Sequence, residues 1–239
     1  MSFAEAVARH FPGTIPLSPF MRRAAVSLIQ DHGFSPSNSL ACVGVCRDEL
    51  CRPLTDEVES IWGESFDFDS LAGILTIGKT GFAAARQHAP VVNGRCRYLF
   101  FLFAHIGISA SGEIGKVSRP GQTQATTACG ALAALQQSLQ KGQTVTRIEW
   151  EDPEQSLLHL RMKRVPNLSS VPDLMELTRA AQQASVEDLS RLVGSALDPR
   201  RDDHALISGI LIHGPDRAQF VWRGDSHIVV AGRRSEIWF

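Results

Sequence analysis

The run Arg97-Tyr98-Leu99-Phe100-Phe101-Leu102-Phe103-Ala104 constrains this chain more than any other stretch. It is apolar at consecutive positions, so a strand made from it must be buried on both faces and lie centrally in a sheet covered by helices. It stops at His105. Leu40 to Val45 reads as a second buried strand, stopping at Cys46, and from Asp48 the composition is that of a helix. Open α/β sheets place their chemistry at the carboxyl ends of strands, which is where Cys46 and His105 fall.

The remaining segments predict one α/β domain over residues 1–239, with residues 1–33 as a helical lead-in. Ala4 to Phe11 is helical and ends at Pro12-Gly13, and Ser18-Pro19 opens a second helix towards Gly33. Pro53 suits the first turn of a helix through Leu54, Val58 and Ile61. Gly81 to His88 forms another helix, with Lys79-Thr80 at its start. Gly107, Gly112 and Gly115 mark a loop that reaches Arg119-Pro120-Gly121 and allows backbone to approach a ligand, although a surface excursion fits equally. Thr126 to Leu132 begins a small-residue helix, with Cys129 in or beside its first turn, a place that favours thiolate. Val145 to Trp150 and Leu157 to Met162 are expected to be a strand pair about an Asp152-Pro153 turn. Pro172-Asp173 starts a helix through Ala181, and Ala205–His213, Gln219–Trp222 and His227–Ala231 read as closing strands.

Composition narrows the function classes. A formal net charge of −1 gives no general attraction to nucleic acid or an anionic membrane. No signal core opens the chain and no apolar run nears the length of a membrane span, so the expectation is a cytoplasmic protein. Five scattered cysteines in a chain too large to need disulfide staples suit metal binding or catalysis better than bridging.

Gly73 to Thr80 matches G-x-x-x-x-G-K-[ST], the phosphate-binding pattern. The match is rejected. Ile74-Leu75-Thr76-Ile77 is too apolar and β-branched for a loop whose N–H groups wrap phosphate, and no apolar strand precedes Gly73.

Cys46, His105 and Cys129 share a description: strand end, strand end and helix start. Two thiolates and an imidazole are a donor set that a catalytic zinc ion uses when it keeps its fourth position open. Their separations, 59 and 24 residues, form no local metal motif. As residues alone they also fit buried packing thiols and a strand-end histidine.

The blocks Cys46-Arg47-Asp48-Glu49-Leu50-Cys51-Arg52-Pro53, Gly78-Lys79-Thr80-Gly81 with His88-Ala89-Pro90, His105-Ile106-Gly107, Gly112-Glu113-Ile114-Gly115 and Ala128-Cys129-Gly130-Ala131-Leu132 follow one another in the order seen in a known family. Across about residues 40–135 the chain resembles the low-CO2-inducible protein B family, associated with θ-class carbonic anhydrases and related in fold to the β class. The resemblance implies a β-carbonic-anhydrase-like open sheet flanked by helices and a homodimer. It also implies a Zn2+ site on Cys46, His105 and Cys129. The implied reaction is reversible hydration of CO2 to bicarbonate. Asp48 is placed to accept a hydrogen bond from the attacking oxygen nucleophile, with a cation holding the carboxylate off the metal. Arg52 is the candidate for that cation and Arg47 the alternative. A catalytically silent zinc protein that binds bicarbonate or a partner is the competing reading. Glu49 reads as a solvated helix residue, Cys42 and Cys51 as packing thiols, Cys96 as a strand-start residue and His88 as a helix cap or proton relay.

Overall fold

The computed structural model describes residues 1–237 and 239. Helix α1 (Phe3–His10) starts on a capping box, with Ser2 and Glu5 satisfying each other's backbone N–H groups. It is followed by β1 (Ile15–Pro16), α2 (Leu17–Val26), β2 (Ser39–Gly44), α3 (Arg52–Trp62), β3 (Phe66–Asp67), α4 (Gly78–Arg86), β4 (Val91–Val92) and β5 (Arg95–Gly107). Next come β6 (Lys116–Val117), β7 (Thr126–Thr127), α5 (Gly130–Gln140), α6 (Pro153–Met162), α7 (Leu174–Ala196), β8 (Asp202–His213), β9 (Gln219–Arg223), β10 (His227–Val230) and β11 (Arg233–Glu236).

Nine of these strands form one sheet. Its main path runs β1-β9-β8-β5-β2-β3, β10 joins β8 and β11, and β4 joins β5. The centre is parallel, with β5 between β2 and β8, while β9 and β10 run antiparallel to β8. The apolar run therefore lies at the centre of the sheet. Its alternate side chains enter two cores: Leu99, Phe101 and Phe103 join Phe20, Leu54, Val58 and Trp62, while Tyr98, Phe100 and Leu102 join Phe82, Leu189 and Val193. The N-terminal helices pack on this same sheet. Phe3 meets Phe220, Phe11 meets Trp222, and Phe20 meets Phe103.

The parallel ladder between β2 and β5 ends at the pair Gly44 and Leu102, although β5 continues to Gly107. Where the strands part, buried Gln182 of α7 takes up β5's backbone groups, accepting from the Ala104 N–H at 2.7 Å and donating to the Leu102 carbonyl at 3.1 Å. The chain past β2 turns instead towards Ser70, which forms an isolated parallel bridge with Cys46.

Two expectations are corrected. Residues 145–150 contain no strand, and Leu157 to Met162 lies in α6. Pro153 occupies the first turn of that helix, where its missing N–H has no consequence, and the buried positions Ser156, His159 and Leu158, Met162 follow helical spacings of three and four. His105 lies inside β5 rather than just beyond it, because the ladder with β8 extends to the pair Gly107 and His213. Gly73 to Thr80 is no phosphate cradle. Gly73 closes a short 3-10 turn, and its buried carbonyl accepts from Ser185 Oγ at 2.7 Å, so this backbone faces the interior.

Candidate metal centre

Cys46, His105 and Cys129 converge in the buried region beyond the point where β2 and β5 part. Cys46 follows β2, His105 comes from β5, and Cys129 is the residue preceding α5, in extended conformation. One donor atom from each lies within 4.8 Å of the others, and all three residues are buried. His105 Nδ1 is 3.0 Å from His213 Nε2. His105 Nε2 is buried with no hydrogen-bond partner, so it is the nitrogen left for a ligand.

The electrostatics suit a cation. A hydrogen bond from Cys129 pulls the Cys46 thiol down to about 4 against the opposing effect of burial, and His105 adds to the fall. Cys129 moves the other way, raised by that same hydrogen bond and by burial. Burial opposes a charge on His105, yet the sulfurs of Cys51, Cys129 and Cys46 outweigh it and hold the imidazole above its ordinary value. Of these thiols only Cys46 is drawn toward thiolate, beside the His105 nitrogen that has no hydrogen-bond partner. Two cysteines and a histidine match a soft divalent metal ion, and this group could hold one. Cys51, His105 and His213 form a second buried donor group that shares His105.

Asp48 lies two residues beyond Cys46 and caps the 3-10 turn Glu49–Cys51, accepting from the Leu50 N–H at 3.1 Å. Burial raises its pKa, against the Leu50 N–H and the charges of His105 and Arg119. Its cationic partner is Arg119. The Arg119 Nη2 lies 3.2 and 3.0 Å from the two carboxylate oxygens, and its Nε is 2.6 Å from Glu49. The same guanidinium donates to Thr126 Oγ1 at 2.6 Å and to the Thr127 carbonyl at 3.0 Å, which ties the glycine-bearing loop to the segment before Cys129.

Arg52 does not take the place assigned to it. As the first residue of α3 its side chain runs along the exposed helix surface to Asp56 at 2.8 Å and Glu59 at 3.6 Å. These acids, four and seven residues on, lie on its own helix face, whereas Asp48 belongs to the preceding turn. Arg47 pairs with Glu154 at 2.7 Å, and Glu154 also accepts from the Leu71 N–H. Both arginines near Asp48 in sequence are engaged elsewhere. Arg119, in the glycine-bearing loop, and His213, the last residue of β8, carry no motif in the sequence that marks them as functional, although the end of a strand is itself a signal for His213. Glu49 is exposed yet bound to Arg119. Cys51 is buried beside the centre, with its thiol held protonated by burial.

A cavity of about 520 Å3 adjoins this constellation, lined among others by Glu49, Leu50, Arg119, His213 and Gln219. No helix among the described residues is long and apolar enough to cross a membrane.

Comparison with known proteins gives a consistent result. Residues 14–230 match the family model of limiting CO2-inducible proteins B/C β-carbonic anhydrases. A crystal structure of the limiting CO2-inducible protein LCIB is 32% identical, with 96% of each chain covered and a TM-score of 0.79. The homologue PtLCIB4 superposes with a TM-score of 0.83 at 22% identity, covering 99% of this chain and 100% of its own. No curated protein sequence matches.

Proposed function

The chain belongs to the limiting CO2-inducible protein B/C family of β-carbonic anhydrases, and from that premise we propose that it is a zinc-dependent carbonic anhydrase interconverting CO2 and bicarbonate. One observation carries the proposal: a buried Cys-His-Cys donor set stands beside a carboxylate that is clamped by an arginine. Cys46, Cys129 and His105 Nε2 would hold the ion. Zinc, when bound, supplies a Lewis acid that makes water a competent nucleophile near neutral pH.

The protein's own groups then direct the reaction. Asp48, as carboxylate, accepts a hydrogen bond from the attacking water and fixes the direction of its remaining lone pair. Arg119 occupies both carboxylate oxygens, which keeps Asp48 an acceptor and restrains it from joining the donor set. The water oxygen bonds to the carbon of CO2, one C=O π pair moves to oxygen, and a proton passes to solvent. The adjoining cavity gives CO2 and bicarbonate a place beside the centre.

The proposed assembly is a homodimer, as the family resemblance suggests. The outer face of α2 and α3 supports it, since Val26 is 47% exposed beside a groove that also includes Ala25, Ile29 and Ile61.

The deciding experiment is stopped-flow CO2 hydration on protein whose zinc content has been measured. Activity proportional to zinc is expected. An inactive, fully loaded protein from pH 6 to 9 would replace the enzyme with a silent scaffold that keeps the metal.

A further inference from the structure

A second imidazole stands behind His105. His213, the last residue of β8, is 2% exposed, and its Nε2 is 3.0 Å from His105 Nδ1 with the rings inclined at 72°. A hydrogen bond between two imidazole nitrogens needs one proton, so one ring donates and the other accepts. Which ring donates follows from the other nitrogen of His105. Nε2 is buried, has no partner and belongs to the donor group with the two cysteine sulfurs. A nitrogen that ligates a metal carries no proton, so neutral His105 bears its proton on Nδ1 and donates it. His213 Nε2 is then the acceptor, and the proton of His213 sits on its Nδ1.

We infer that His213 is a positioning residue of the metal centre: by accepting from His105 Nδ1–H it fixes the tautomer and ring angle that present Nε2 to the ion. The inference rests on the metal-binding reading proposed above. Ligating histidines generally need such a partner for the far nitrogen, and its removal typically weakens metal binding about 10- to 100-fold. Here the partner is set by the fold. The long parallel ladder from Cys96–Asp202 to Gly107–His213 fixes the two backbones against each other. His213 also lines the cavity, while its Nδ1 is buried without a protein partner.

The test measures zinc affinity of the full chain by competition with a chromophoric chelator, in the unmodified protein and in His213→Leu, His213→Gln and Cys46→Ala. His213→Leu should bind zinc about 10- to 100-fold more weakly, and His213→Gln, whose carbonyl can accept the same hydrogen bond, should recover most of the loss. A merely structural role would not give that recovery. Nitrogen-15 spectra of the unmodified, zinc-loaded protein should show both His105 and His213 protonated at Nδ1. This measurement decides the matter even if His213→Leu fails to fold. Unaltered affinity in His213→Leu, or an unprotonated His105 Nδ1, would overturn the inference while Cys46→Ala still lost zinc. Full zinc binding by Cys46→Ala would instead overturn the metal-site reading beneath it.

Discussion

Arg119→Ala is the substitution that separates a designed clamp from an incidental ion pair. The guanidinium is 17% exposed and the Asp48 carboxylate 11%, so their contact is shielded from solvent much more than an ordinary surface bridge. Hydrogen bonds to charged groups contribute about 1.5–3 kcal/mol, and stripping the partner from a fully buried charge costs about 3–5 kcal/mol. Partial exposure places Arg119→Ala between these, at about 2–4 kcal/mol. The Glu49 contact adds little, because Glu49 is 68% exposed and such pairs are worth about 0–1 kcal/mol. The loss in rate should be larger than the loss in stability suggests. A misplacement of about 1 Å at a reacting centre can cost 10²-fold, and Asp48 would lose both restraints from Arg119 at once. Arg119→Lys keeps the charge but cannot reach two carboxylates and two threonines with one planar fork, so it should recover only part of the rate. Arg119 also holds down the pKa of Asp48, so its removal must raise that pKa. As pH falls, the carboxylate, and activity with it, should therefore be lost at a higher pH than in the unmodified enzyme. Stopped-flow hydration against pH, normalised to zinc content, reads both effects, with Arg52→Ala as the control. An unchanged rate and pH profile in Arg119→Ala, or an equal loss in Arg52→Ala, would refute the assignment of the clamp.

Cys46→Ala should lower zinc content and melting temperature together, because metal binding is linked to folding, whereas Cys51→Ala should retain zinc; metal analysis with thermal unfolding checks both. Asp48→Asn should keep zinc yet lower hydration about 10- to 100-fold or more, and combined with Arg119→Ala it should fall far short of additivity, as measured by stopped flow. Burial pushes the pKa of Asp69 up to about 6 from its ordinary 3.8, while its carboxylate accepts from the Val45 N–H. With the folded pKa above the unfolded one, the folded chain binds the extra proton, so Asp69 makes stability fall as pH rises from about 4 through about 6. Urea unfolding of Asp69→Asn should lack that slope, and an identical slope would count against it. Sedimentation at micromolar concentration should show a dimer, and monomer alone would remove the proposed assembly.

What could be read from the sequence follows the range of the interactions. The central strand was legible because seven consecutive apolar residues, Tyr98 to Ala104, admit few other environments, and α3 because Pro53 and its apolar spacing agree. The strand pair expected at 145–162 failed because a short apolar segment can serve either a strand or a helix, and there Pro153 marked a helix start rather than a turn. The residues that converge at the site were named as candidates because each was expected at an element boundary and the family resemblance pointed to the same three. Their partners were not accessible in that way. Arg119 is 71 residues from Asp48, and His213 is 108 from His105, so only the folded sheet and loop bring them together. Arg52 was the nearer cation in sequence, but the helix it begins carries it to acids on its own face.

The glycine-bearing loop explains how one segment can serve two roles at this centre. Gly107 ends β5, and a Cβ there would lie 2.7 Å from the Lys116 carbonyl oxygen and 2.8 Å from the Ala128 side chain. Gly115 has φ of +84°, where a side chain is strained, and its N–H donates to the Gly107 carbonyl at 2.7 Å. The Ala128 N–H in turn donates to the Gly115 carbonyl at 2.9 Å. Residues 107, 115 and 128 are thereby stacked at one place, two residues beyond His105 and one before Cys129. Between them the loop runs outward and back, and β6 pairs with β7 to close its neck. Arg119 extends from this closed neck to Asp48. The position of Cys129 and the grip on Asp48 therefore depend on the same backbone contacts. Glycine is required where that backbone packs, which couples the donor set to the carboxylate clamp.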